Sequence, residues 1–88
     1  MDNKEKDELL KHLQTFQSDY FSKGKAKDAY TLLAANSSTL KYLDENQLER
    51  VKKYNENLKN CERISNIDDY AEKFAANLLK IILILKLS

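Results

Sequence analysis

Apolar residues recur along this chain at intervals of three and four. Between Asn3 and Ser22, Leu9, Leu13, Phe16 and Tyr20 fall at intervals of 4, 3 and 4, which stacks them close to one line on a helix. Leu10 and Phe21 widen that stripe, while Lys11, Asp19 and the charges of residues 4 to 8 lie elsewhere. In Ser22-Lys23-Gly24-Lys25 stands the only glycine, the best available C-terminal cap and turn because glycine enters the left-handed region at least cost. A second helix is expected from about Lys25, with Ala26, Ala29, Tyr30 and Leu33 on one face. It should break at Asn36-Ser37-Ser38-Thr39, whose side chains compete for backbone hydrogen bonds. Leu40 to Leu43 reads as a short extra turn or as the tail of that helix.

Asp44-Glu45-Asn46-Gln47 has the form of a capping box and starts a third helix. Leu48, Val51, Tyr54, Leu58 and Cys61 line its inner face, and Glu49, Arg50, Lys52, Lys53, Glu56 and Lys59 its outer one. Ser65-Asn66 supplies the next N-cap. Asp68, Asp69 and Glu72 then fall early and Lys80 and Lys86 late, as the helix dipole favours. The core stripe of this fourth helix is Ile67, Ala71, Phe74, Leu78, Ile82 and Leu85. Short links between these elements predict an all-α fold, a small antiparallel bundle of three to four helices formed by residues 1–88 as a single domain.

The spacing Leu13-x2-Phe16-Gln17-x2-Tyr20-x3-Gly24-x4-Ala29-x3-Leu33 resembles the packing positions of one tetratricopeptide repeat. That pattern prefers a small residue where Gln17 stands, Ala at Asn36 and Pro at Lys41. A shift of 34 residues reproduces only Tyr54 of its strong positions, and one repeat cannot bury its face alone. Any antiparallel helical hairpin needs apolar residues at similar intervals, so no family is assigned from this spacing.

Composition agrees with helices and excludes much else. One Gly and no Pro in 88 residues leave little material for tight turns or phosphate-cradling loops, which argues against sandwiches, barrels and nucleotide folds. With 42% hydrophobic and 33% charged residues and a net charge of +1, the chain is too apolar for wholesale disorder and too balanced for a polyelectrolyte. Cys61 is alone, so no disulfide framework or thiolate zinc cluster can form within the chain, and a reducing compartment suits it. MDNKEKDELL has no apolar core of signal-peptide length, and a cytoplasmic location is expected.

Candidate chemistry is sparse. A nucleophile, a base and an orienting group would have to come from one His and one Cys, and Glu8 with His12 reads as an i,i+4 contact on a solvated helix. The carboxylate pairs Asp44-Glu45 and Asp68-Asp69 sit where capping explains them, and no H-x3-H, C-x2-C or carboxylate-His helical set is present. Neither enzyme activity nor a cofactor or metal is expected. Residues 23–43 carry a net +3, from Lys23, Lys25, Lys27 and Lys41 against Asp28, yet the chain has only Arg50 and Arg63 to read base edges or clamp phosphates. The tyrosines at 20, 30, 42, 54 and 70 lie about one per helix, as packing with a wet hydroxyl would place them.

The unusual segment is Leu78-Leu79-Lys80-Ile81-Ile82-Leu83-Ile84-Leu85-Lys86-Leu87, apolar at eight of ten positions. Leu78, Ile81, Ile82 and Leu85 continue the core stripe, whereas Leu79, Leu83, Ile84 and Leu87 project to its sides or back. From Phe74 the apolar stretch is about 14 residues, broken by Asn77 and Lys80 and short of the ~20 that cross a bilayer. The expected function is binding: a small regulator, inhibitor or adaptor, of a kind carried by phages and mobile elements. Leu79, Leu83, Ile84 and Leu87 would then meet a protein partner or a second copy in a homodimer. Three readings compete with that one: a central helix wrapped by the other three, an immunity-type protein whose last helix lies on a membrane face, and a nucleic-acid-binding regulator working through its lysines.

Overall fold

The computed structural model describes residues 3–19, 22 and 24–88. Tyr20, Phe21 and Lys23, assigned above to the first stripe, its margin and the turn, lie outside the described residues. Among those described, the elements are α1 (Asn3–Ser18), α2 (Lys25–Ala35), a 3-10 turn (Thr39–Tyr42), α3 (Glu45–Cys61) and α4 (Ile67–Leu87). There is no strand among them, so the all-α small bundle read from the periodicity is the fold.

Local chemistry sets the boundaries. α1 ends at Ser18, earlier than the expected Ser22. The Ser22 hydroxyl donates to Asp19 Oδ1 at 2.9 Å, and the Ser22 amide to the Asp19 carbonyl at 3.1 Å, so Asp19 organises a turn directly after the helix. Gly24 has φ +101°, the left-handed conformation anticipated for it, but it stands at the N-cap of α2 and not at the C-cap of α1. Asn36 stops α2 by donating its side-chain amide to the Leu32 carbonyl at 2.8 Å, and residues 39–42 then make a separate 3-10 turn. Both arms of the capping box at α3 are formed: the Gln47 amide donates to Asp44 Oδ1 at 2.8 Å and the Asp44 amide to Gln47 Oε1 at 3.0 Å. At α4, Asn66 Oδ1 accepts from the amides of Asp68 and Asp69.

Paired side chains reveal the topology. Along the α3/α4 seam Asn57 meets Asn77 and Tyr54 meets Lys80, the antiparallel register of a helical hairpin. Across α2 and α3, Lys27 meets Glu62 and Tyr30 meets Lys59. α1 runs against α4 with Lys6 reaching the carbonyl of Ser88 at 2.6 Å, and against α2 with Phe16 beside Lys25. The result is an up-down-up-down bundle in which α4 packs on both α3 and α1. One core joins all the helices: Leu9 and Leu13, Ala26, Ala29 and Leu33, Val51, Leu58 and Cys61, then Phe74, Leu78, Ile81, Ile82 and Leu85, with Leu40 and Leu43 from the 3-10 segment as a plug.

Two positions of α4 depart from the expected stripe. Ile67, placed in the core by spacing, is exposed as the first residue of the helix. Tyr70, which spacing did not place in the core, is fully buried and stacks on Phe74 with ring centroids 5.8 Å apart. The Tyr70 hydroxyl oxygen accepts the Ala26 amide at 3.0 Å, and its hydrogen is shared between Glu62 Oε1 at 3.3 Å and the Ser22 carbonyl at 3.4 Å. The same Glu62 oxygen accepts the Lys27 amide at 3.3 Å. Gly24 offers α2 no side-chain cap, so these two residues from the α3/α4 corner cap the helix from outside its own sequence.

Burial pushes the Tyr70 phenol above its ordinary 10.0; the amide of Ala26 works against the rise, and the Glu62 charge and hydrogen bond add to it. The fold therefore favours the neutral phenol, and that contribution is complete below pH 10.0 and lost as the pH climbs beyond it, because the unfolded chain ionises first. Tyr70→Phe should cost about 1–3 kcal/mol at neutral pH by leaving the Ala26 amide unpaired. In urea titrations from pH 7 to 11, the variant should also lose stability less steeply than the wild type above pH 10.0.

Candidate interaction surface

The surface begins with the arc that α4 must bury. Its two neighbours sit on different sides, so the covered arc spans Ile84, Tyr70, Ile81, Phe74, Leu85, Leu78, Ala71 and Ile82, well over a third of the helix circumference. Ile84 belongs to this arc. Sequence spacing assigned it to the partner-binding set with Leu79, Leu83 and Leu87, but it is only 8% exposed, on the flank that meets the first turns of α3 beside Gln47 and Arg50. The other three project outward: Leu79 is 44% exposed, Leu83 46% and Leu87 84%. They follow one another at i, i+4 and i+8, a continuous row along the second half of α4.

Beside the row runs a groove of about 300 Å³ lined by Gln47, Arg50, Lys80, Leu83, Ile84 and Leu87. Its floor is aliphatic. Arg50 and Lys80 border it with long side chains whose methylene stems extend the apolar surface while the charges stay wet. Lys80 holds its ammonium 5.2 Å from the Tyr54 ring centroid, which closes the lower end of the groove. Below that lies a more polar hollow of about 470 Å³, where Asn57 Nδ2 donates to Asn77 Oδ1 at 3.0 Å and Asn77 donates in turn to the Lys73 carbonyl. The α3/α4 seam thus changes from polar to apolar toward the end of α4.

Other candidate groups are engaged in structural contacts. Cys61 is buried beside the polar hollow; burial and the Glu62 charge push its thiol above the ordinary 9.0, with Lys73 pulling the other way, so little thiolate forms at neutral pH. His12 shares a polar hollow with Glu5, Glu8, Asn36 and Thr39, where the Thr39 hydroxyl donates to Glu5 Oε2 at 3.4 Å. Among the described residues no group of three or more His, Cys, Asp and Glu side chains could hold a metal ion. Lys25 lies between Asp19 and Asp28. Ring faces of Tyr30, Tyr42 and Tyr54 are each covered by an ammonium, from Lys59, Lys6 and Lys80. Among the described residues no helix is long and apolar enough to cross a membrane.

Scans against protein-family models, curated proteins and solved structures find no match to this chain. Its outward leucines are what the fold itself singles out.

The placement of Ile84 apart from its neighbours can be checked directly. Replacing Leu83 and Leu87 together with Lys should leave the helical circular dichroism intact and move the urea stability by no more than about 1 kcal/mol, because both side chains already meet water. Ile84→Lys should cost more than about 3 kcal/mol or prevent folding, since it places a charge in the core beside α3.

Proposed function

We propose that this is a non-enzymatic binding protein that works through the outward face of α4, presenting Leu79, Leu83 and Leu87 and the adjoining groove to another protein surface. The observation that carries this reading is three leucines in one exposed row on a helix whose opposite side is the bundle core. Isolated exposed apolar residues need no explanation, but a continuous row beside an apolar groove marks a docking surface. A regulator, inhibitor or adaptor of the kind that mobile elements carry needs no more than such a face. The free, buried thiol of Cys61 suits the reducing cytoplasm in which we place it.

Magnitude constrains the partner. Full burial of a leucine stabilises by about 1.5–3 kcal/mol, so covering what is exposed of these three contributes roughly 3–5 kcal/mol. Association costs on the order of 4–15 kcal/mol before any surplus appears, so the partner must bring apolar surface of its own. A membrane face is less well supported. Asp68, Asp69 and Glu72 are exposed on the first half of α4 and would be repelled by anionic headgroups at the moment the leucines reached the acyl boundary. Nucleic acid is supported least, because several lysines are already spent on acids and on tyrosine rings.

A photo-crosslinking amino acid at position 83, expressed in the cell that makes the protein, tests the reading. It should yield adducts of discrete mass, whereas the same group at exposed Lys53 on the far side of α3 should not. Equal, diffuse labelling from both positions would overturn it.

A further inference from the structure

Two of the three outward leucines also belong to a longer pattern. Glu72, Ala76, Leu79, Leu83 and Lys86 are all exposed and recur at intervals of 4, 3, 4 and 3, the seam of a coiled-coil contact laid on the outside of α4. Leu79 lies at its centre, and the ends carry opposite charges. Among the described residues neither Glu72 nor Lys86 is in an ion pair.

Resting on the reading of this face as a protein-binding surface, we infer that the partner is a second copy of this chain, paired antiparallel through α4. Antiparallel pairing about Leu79 lays the Leu79 of one copy on that of the other and Leu83 of each copy on Ala76 of the other. It sets Lys86 of each copy beside Glu72 of the other, twice over by symmetry. Ala76 supplies the small position that lets the helices approach and receives a leucine from across the seam. A parallel arrangement would stack glutamate on glutamate and lysine on lysine, so the charges choose the direction while the leucines supply the contact. The apolar surface brought by one copy is matched by the other, which meets the requirement that the partner add apolar area of its own. The seam is short, so the dimer is weak, with a dissociation constant of roughly micromolar or above.

Sedimentation equilibrium or light scattering of the purified chain from ~10 μM to ~1 mM, a span chosen to bracket that affinity, reads the outcome. The wild type should pass from monomer to dimer. Glu72→Lys and Lys86→Glu should each weaken dimerisation about tenfold, by turning two cross-chain attractions into repulsions. The double variant E72K/K86E should return to within about threefold of wild type. Within one chain both substitutions oppose the helix dipole, so the double variant is the least favourable for folding; its recovery of dimerisation cannot come from a firmer α4. A double variant weaker than either single one overturns the antiparallel pairing. A chain that stays monomeric throughout overturns self-association, and discrete adducts from position 83 with a different protein would then leave the docking face standing without this partner. Co-sedimentation of the monomer with phosphatidylcholine vesicles would overturn both.

Discussion

The bundle hangs on a hydroxyl group. α2 starts at a glycine that brings no side-chain acceptor, so its first amides must find partners elsewhere or remain unsatisfied at a helix end packed against the core. Tyr70 and Glu62 supply them from the far end of the sequence, and in doing so they tie together the start of α2, the end of α3 and the start of α4. An acid at that place also answers the partial positive charge of the α2 N-terminus. Once this corner is held, the antiparallel seams run outward from it, with Lys59 on Tyr30 along α2/α3 and Asn57 on Asn77 along α3/α4. The other end is tied more lightly, where Lys6 reaches both the Ser88 carbonyl and the Tyr42 ring.

How much of this could be read from the residues follows from the range of the forces involved. Both arms of the Asp44/Gln47 box and the Asn66 cap act over three residues, so sequence alone places those helix starts. The left-handed Gly24 was equally readable, because only glycine adopts that conformation cheaply. Its role was not, since whether a glycine ends one helix or begins the next depends on Asp19, which had already turned the chain. The Tyr70 node was missed for a similar reason: two of its three partners are 44 and 48 residues away and the third, Glu62, is on another helix end, so no local pattern records them. The signal that could have found it is a pair of facts, a helix start without a cap and a tyrosine one turn before Phe74.

The outward placement was readable for three of the four residues, Leu79, Leu83 and Leu87 but not Ile84. Periodicity identifies the line along which a helix is most apolar, and Leu79, Leu83 and Leu87 lie far from that line on any count. It cannot say how wide an arc the neighbours cover. α4 touches both α3 and α1, so its buried arc widens on the α3 side until Ile84 is inside, while Ile67 at the tip is left out. α4 is therefore not a helix wrapped by the other three: it is buried over one arc against α1 and α3 and open to water over the rest.

That division has a thermodynamic consequence. The helix that carries the outward leucines also supplies more of the core than any other element, with Phe74, Leu78, Ile81, Ile82 and Leu85 behind the same few turns. A surface on an isolated helix would pay for ordering when it bound; this one is ordered already by Tyr70 below and by α1 and α3 on either side, so little conformational entropy is lost on contact. Binding and stability are linked as well. An 88-residue bundle buries only about 60–65% of its unfolded surface, and any partner that recognises folded α4 shifts the equilibrium toward the folded chain by mass action. The leucines left in water add little to the isolated bundle, and a partner that covered them would by the same contact make the fold more secure.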